Sequence, residues 1–405
     1  MNMLILFFVS KLLIPMDLSQ TDHLRAYGVI YKSLQSGVKA EWLLNYRGGA
    51  FLLDENNLTE KLCKTKGVTY EKVSEGTAQS IYSTIESENM ERVELTMAPR
   101  IAVYTPPYSS PWDDAVTLAL NYADIPYTKI WDEQVINGTL SDFDWLHLHH
   151  EDFTGQYGKF FGGFGFTLWF KEEVTLNESM AKKLGFKKVW QLKQSVANKI
   201  SQYVNNGGFL FAMCSATETI DIGLAAYGMD IVPTLDGDGY DRSCQQKLNF
   251  QNAFAFKDFE IDIDPMRYRH SNIDVSDEAR MRGENVYFEL SEFSAKYDPI
   301  PTLLTQDHTN VVAEFMGQTT GFRKNLVKPN VTILGQVKGT SEVKYLYGDY
   351  GKGFFAFYGG HDPEDYTHMV GDPPTKLELY PNSPGYRLIL NNVLFPAAKS
   401  KRLKT

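Results

Sequence analysis

Apolar positions in the first hundred residues alternate between short continuous runs and helical spacing. Residues 11–15 have the length of a buried strand, and Asp17 or Ser19 can cap a helix after it. Leu24, Tyr27, Ile30, Tyr31 and Leu34 then recur at helical spacing until Gly37 stops them, and 40–46 is again an apolar run of strand length. A helix around 58–64, a strand over 68–73 and a helix around 78–88 complete an alternating α/β layer over 11–98, punctuated by Pro99. The pattern restarts at Arg100 with a strand (IAVYT), a helix over 111–123 and strands over 127–131 and 145–149. Val189, Leu192, Val196, Ile200 and Tyr203 mark a long amphipathic helix closed by Asn205-Asn206-Gly207-Gly208. The run 209–212 is apolar on both faces, which places it in the middle of a parallel sheet.

Between 233 and 330 the periodicity breaks into acidic, aromatic and Gly/Pro-rich pieces, read as a long insertion or cap with few regular elements. Strands over 331–337, 343–347 and 354–358 and a final helix over 386–394 follow, then a basic tail from Lys399. The expected fold class is therefore α/β: a parallel sheet with helices on both faces over 99–396, an N-terminal α/β region, and an irregular insertion.

Composition narrows the function. A chain of 405 residues, 43% hydrophobic with 31 glycines and 22% charged, is a folded globular protein of two or three domains, which excludes disorder, collagen and coiled coil. A net charge of −10 argues against nucleic acid or an anionic membrane as main partner and favours a small molecule, an amide or a glycan. Lys11 interrupts the apolar stretch 3–15, well short of the ~18 residues of a membrane span, so no transmembrane segment is expected. Residues 4–9 form a short h-region without a basic n-region, so 1–10 read as a signal remnant or no signal. Three cysteines, Cys63, Cys214 and Cys244, are too few and too scattered for a disulfide framework.

One cysteine stands out. In GGFLFAMCSATETIDIGLAA a buried strand runs into a tight turn carrying Cys214 and then into helix-like sequence, the strand–nucleophile–helix order of a nucleophile elbow. The amides of Ser215 and Ala216 could receive an oxyanion there. In FFAFYGGHDPEDYTH a strand ends at Gly359-Gly360 and delivers His361 beside Asp362, Glu364 and Asp365, a general base with an orienting acid. The carboxyl ends of strands in open α/β sheets converge on one crevice, so Cys214 and His361 can meet. A third cluster, WLHLHHEDF, places His147 and His149 on one strand face and follows with His150, Glu151 and Asp152. It could bind a divalent metal, but alternation sends His150 to the opposite face and the spacing is no known zinc signature, so it is read as lining the crevice, with no metal. Tyr104 opens a Pro- and aromatic-rich loop, 104–112, suited to a substrate platform. No Walker loop or dinucleotide fingerprint is present, and no cofactor is expected.

The elbow, the strand-end His361 and the β-α-β order resemble the class I glutamine amidotransferase-like, flavodoxin-like fold. DHLRAYGVIYKSLQSGVKAEWLLNYRGGAFLL, FSAKYDPIPTLL, FMGQTTGF, YGGHDPEDYTHMVGDPPT and NSPGYRLILNNVLFPAAK resemble, over nearly the whole chain, a family of Bacteroides-type bacteria labelled asparagine synthetase B. The resemblance implies a triad of Cys214 as nucleophile, His361 as base and Glu364 as orienting acid; the residue pattern itself turns Ser215, His149, His150, Glu151 and Tyr104 toward substrate. The resemblance also implies export, hence a periplasmic location, with a cytoplasmic one as the alternative. Two departures are visible: the elbow has Ala where amidotransferases have Gly, and the acid lies three rather than two residues after His361. Asparagine synthesis is not expected, because the start is Met1-Asn2-Met3 rather than a cysteine and no Ser-Gly-Gly-x-Asp-Ser loop occurs. Three readings follow: a Cys-dependent hydrolase or amidotransferase; a non-catalytic glycan- or metabolite-binding envelope protein on the same fold; and, from the signal-like start and the absence of a cofactor motif, a structural or assembly role in the cell envelope.

Overall fold

The computed structural model describes residues 10–108, 110–232 and 240–398. The signal-like start, the basic tail, the 233–239 part of the insertion and Ser109 of the 104–112 loop lie outside the described residues.

Two sheets share the chain. Strands β1 (Lys11–Ile14), β2 (Ala40–Leu44), β3 (Ala50–Asp54), β4 (Glu71–Val73) and β5 (Glu91–Leu95) form the first, in the order β4-β1-β3-β2-β5. Every neighbouring pair is antiparallel. The helix His23–Gln35 does connect β1 to β2, but β3 slips between them; its run 50–53 is apolar and of strand length, whereas β5 does not stand out in the apolar pattern. The tight β2–β3 connection is possible because Asn45, Arg47, Gly48 and Gly49 all take positive φ.

The second sheet contains β6 (Ile101–Tyr104), β7 (Thr128–Ile130), β8 (Trp145–Leu148), β9 (Phe209–Met213), β10 (Tyr287–Leu290), β11 (Val311–Ala313), β12 (Phe322–Arg323), β13 (Thr332–Val337), β14 (Glu342–Tyr350) and β15 (Gly353–Tyr358). Its parallel half runs β7-β6-β8-β9-β15. Numbered among themselves these strands have the order 2-1-3-4-5 of a doubly wound sheet, with its topological switch point between β6 and β8. Strands β14, β13, β10 and β11 extend the sheet antiparallel from β15. The segment 233–330 is thus no separate cap: two of its strands, β10 and β11, continue the main sheet, and β12 pairs with β14.

Side-chain alternation along the strands assigns the layers. From the first sheet Leu12, Ile14, Trp42, Phe51 and Leu53 pack on the helix His23–Gln35, while Leu13, Leu43 and Leu52 face Ile81 and Ile85 of the helix Glu75–Ser87. From the second sheet Ile101, Val103, Trp145, Phe209 and Phe211 join the first of these cores, and Ala102, Leu146, Leu148, Leu210 and Ala212 meet the helices Val189–Asn205 and Ala216–Ala225. The final helix Pro384–Leu394 therefore lies in a helical layer between the two sheets, and the N-terminal region shares its core with the rest.

Arg387 ties that layer together. It is fully buried; its Nη1 donates to the carbonyl of Met16 at 2.8 Å, its Nη2 to the carbonyl of Gly48, and its Nε to the Tyr27 hydroxyl at 3.2 Å. Asp307 lies 3.9 Å away as counter-charge. Arg387→Leu leaves the Gly48 carbonyl without its donor and removes the counter-charge of buried Asp307, while Met16 O keeps His23 Nε2 and Asp307 keeps the His308 amide, so a loss of about 2–4 kcal/mol is expected in urea unfolding. A loss under about 1 kcal/mol would show that this contact does not hold the two sheets together.

Candidate functional site

Three strands of the parallel half end at one place. β9 ends in Cys214, which takes the left-handed φ of +48°, and the helix Ala216–Ala225 starts two residues later. A non-glycine residue in that region costs about 1–2 kcal/mol, so the turn is over-determined by its surroundings. The Cys214 amide donates to Gly360 O at the end of β15 (3.1 Å), and the Ala216 amide donates to His149 O at the end of β8 (3.1 Å). The Gln318 amide donates to Cys214 Sγ at 3.3 Å. The Gln318 loop can come this close because Gly317 has no side chain: a Cβ there would sit 2.8 Å from the His361 amide nitrogen.

His149, His150, His361 and Cys214 converge, with one nitrogen of each ring and Sγ all within 4.8 Å of one another. His149 and His150 stack at 4.1 Å between ring centroids, and the His361 ring lies 4.8 Å from the first and 4.7 Å from the second. His150 does not point to the opposite face, because β8 ends at Leu148 and strand alternation no longer applies.

The residues that orient these rings escaped the sequence reading. Asp113 and Asp114 precede the helix Ala115–Tyr122, and Asp114 caps it by accepting from the amides of Val116 and Thr117. Asp114 Oδ2 also lies 3.3 Å from His147 Nε2, and its Oδ1 lies 3.2 Å from His149 Nδ1. Asp113 Oδ1 accepts from His361 Nε2 at 3.2 Å and lies 3.0 Å from His368 Nε2, while the Asp113 carbonyl accepts from His150 Nε2 at 2.8 Å. Asp365 holds His368 from the other side at 2.9 Å. The available signal was an Asp immediately before an apolar periodic run, the N-cap rule. Starting the helix at Pro111 hid both aspartates inside it.

Burial sets the protonation states. It pushes the Cys214 thiol up to about 11, against hydrogen bonds from the amides of Gln318, Thr319 and Ser215. It pulls His149 down to about 4 and His150 well below the usual imidazole range, and it lowers His361 despite Asp113. Burial also opposes ionisation of Asp113 and Asp114, but the facing histidines outweigh it and hold both carboxyls low. For His368 burial is outweighed by Asp113 and Asp365, raising it to about 9. The resting centre is a thiol among neutral imidazoles, flanked by two carboxylates.

Of the residues singled out from sequence, Cys214, His361, His149 and His150 meet, and Ser215 adjoins them with a buried hydroxyl that has no partner among the described residues. Three expectations need correction. The acid on His361 is Asp113 rather than Glu364: the Glu364 carboxyl, its pKa raised by burial, is bonded by Ser383. The Ala216 amide is spent on His149 O, which leaves the amides of Ser215, Gln318 and Thr319 around the sulfur. Tyr104 is buried, with its hydroxyl on Asp132, which Lys193 also holds at 2.8 Å, so it is a structural residue and no platform.

A cavity of about 300 Å³ is lined by His150 together with Trp112, Asp113, Asp114, Glu151, Glu173 and Lys193 among others. Trp112, on the cavity wall, stacks on Phe160 (5.1 Å) and meets Trp169 edge-on at 5.4 Å. Behind Cys214, His270 sits between Asp152 (3.3 Å) and Glu218 (3.7 Å), and these acids outweigh its burial to raise it to about 9.

No protein-family model matches the chain, and no curated protein matches it. Among solved structures, a cytoplasmic protein from Salmonella typhimurium is similar at 11% identity over 75% of this chain and 100% of its own, with a TM-score of 0.38. A second, from Salmonella typhimurium LT2, is 11% identical over 74% of this chain and 99% of its own, with a TM-score of 0.37. A GH42 beta-galactosidase from G. stearothermophilus is 11% identical over 66% of this chain and 28% of its own, with a TM-score of 0.24. At these identities and scores no family is defined.

Burial raises both Glu151 and Glu173 to about 8, so the folded cavity holds them as neutral acids near pH 7. Their folded pKa values lie above the unfolded ones, so their contribution is full below about pH 4.5 and is lost as pH rises through about 8. Thermal unfolding should show the protein losing on the order of 1–3 kcal/mol between pH 5 and pH 9. The Glu151→Gln, Glu173→Gln double variant should lose clearly less; an unchanged pH slope would refute the assignment.

Proposed function

We propose that the chain is a hydrolase or acyl transferase acting on a small carboxamide or related acyl substrate, with a class I glutamine amidotransferase-like core. The observation that carries this reading is Cys214 at φ +48° in a strand–turn–helix, with the His361–Asp113 pair beside it. Asp113 occupies His361 Nε2, which leaves Nδ1 to take the thiol proton as sulfur attacks the acyl carbon. Because thiol and imidazole both rest neutral, the proton moves during attack, and Asp113 stabilises the imidazolium that forms. The amides of Ser215, Gln318 and Thr319, which already solvate the sulfur, are the donors nearest the developing oxyanion. The imidazolium then protonates the leaving amine, and water or an acceptor amine resolves the thioester. The carboxyl-lined cavity suits a substrate rich in N–H or O–H donors.

The second reading, a ligand-binding module on the same fold, is favoured by the spent Ala216 amide and by a thiol only 3% exposed. Turnover of a panel of glutamine-like amides separates the two. Cys214→Ala should abolish turnover, and Asp113→Asn should lower kcat by about 10²–10⁴-fold, whereas Glu364→Gln should stay within about threefold. Turnover that survives in Cys214→Ala, or a larger loss in Glu364→Gln than in Asp113→Asn, would overturn the mechanism.

A further inference from the structure

A thiol hydrolase needs one imidazole beside its sulfur; here three surround it. His149 is the most telling of the additional rings. It is only 1% exposed; Asp114 Oδ1 stands 3.2 Å from Nδ1 in a poorly directed contact, and Nε2 has no hydrogen-bond partner among the described residues. Leaving a buried polar nitrogen in that state is unfavourable, and a ligand at the centre would recover that cost.

The surroundings of the other rings are those of metal-ligating histidines. Such a ring almost always gives its second nitrogen to a carboxylate or a backbone carbonyl. His361 gives Nε2 to the Asp113 carboxylate and His150 gives Nε2 to the Asp113 carbonyl, so Nδ1 of each is the nitrogen available to the centre. For His149, Asp114 stands on the Nδ1 side, leaving Nε2. Cys214 supplies the fourth atom from a turn that fixes its direction. With metal–ligand bonds of about 2.0–2.3 Å, tetrahedral donors stand roughly 3.3–3.8 Å apart, so a set already within 4.8 Å closes by about 1 Å through small side-chain rotations.

We propose that His149, His150, His361 and Cys214 form a tetrahedral site for a divalent transition metal ion of the zinc class. One sulfur and three imidazoles are the donor set that such ions prefer over magnesium or calcium. Binding forms one metal–sulfur and three metal–nitrogen bonds and releases the thiol proton to solvent. The inference goes beyond the hydrolytic reading and does not rest on it. The two uses of the sulfur exclude each other: a loaded ion takes the thiolate as a ligand and blocks its attack on an acyl carbon.

Cobalt(II) titration of the chelator-stripped, reduced full-length chain tests this through binding alone. One equivalent should produce tetrahedral d–d absorption in the visible and a thiolate-to-cobalt charge-transfer band in the near ultraviolet, both displaced by one equivalent of Zn²⁺. Cys214→Ser should lose the charge-transfer band, and Cys244→Ser should keep it. Asp113→Asn retains all four donors and should keep the band while weakening binding about 10- to 100-fold. Absence of the band in the unmodified chain, its persistence in Cys214→Ser, or unchanged affinity in Asp113→Asn would overturn the proposal. Amide turnover in the metal-free protein remains a separate measurement, so either reading can fail alone.

Discussion

Two adjacent carboxylates, Asp113 and Asp114, govern the site. They stand at the start of the helix Ala115–Tyr122, where Asp114 satisfies two helix amides and the helix end favours negative charge. From there the carboxylates face four imidazoles, His147 and His149 on Asp114 and His361 and His368 on Asp113, while the Asp113 main-chain carbonyl holds a fifth, His150. Burying an ionised carboxylate is costly unless it is paired, and burying an imidazole without a partner costs as well. Each set of groups makes the other tenable, so neither could be placed alone. The pair also couples three strand ends, because the histidines come from β8 and from the loop after β15, and Ala216 and Cys214 tie the end of β9 to both.

The sheet makes this convergence possible. In the parallel half the carboxyl ends of β6, β8, β9 and β15 lie on one edge, next to the switch point where a crevice must open. The antiparallel extension serves the same edge: the loop between β11 and β12 carries Gly317 and Gln318 against His361 and the Cys214 sulfur. The first sheet supports from a distance. Its core is continuous with the helix Pro384–Leu394, and Arg387 of that helix bonds the carbonyls of Met16 and Gly48.

Much of this was readable from residue patterns, for identifiable reasons. The parallel strands β6, β8, β9 and β15 are short apolar runs buried on both faces, and the helix Val189–Asn205 has a clear apolar stripe. Cys214 and His361 stood out because each ends such a strand. Of the missed strands, β3 (AFLLD) carries the same signal and follows β2 after only a tight turn; the others lack it. β5 reads ERVEL, with only Val93 and Leu95 buried, and the 233–330 segment folds through long-range pairing of β10, β11 and β12 that local periodicity cannot register. Asp113 was missed because its partner His361 is 248 residues away. Glu364 was favoured by proximity in sequence, yet the loop after Gly360 turns its carboxyl toward Ser383. Alternation failed for His150 because the strand stops two residues before it.

The central claim is that Asp113 fixes the rings of His150 and His361 so that each keeps its proton on Nε2 and presents Nδ1 to Cys214. Long-range nitrogen–proton NMR of the histidine side chains, with ¹⁵N-histidine labelling of the metal-free protein near pH 7, reads the tautomers directly. The account predicts neutral Nε2–H tautomers for His150 and His361, with the His361 pattern lost in Asp113→Asn. Averaged, freely exchanging tautomers at either ring, or a spectrum indifferent to Asp113→Asn, would contradict it.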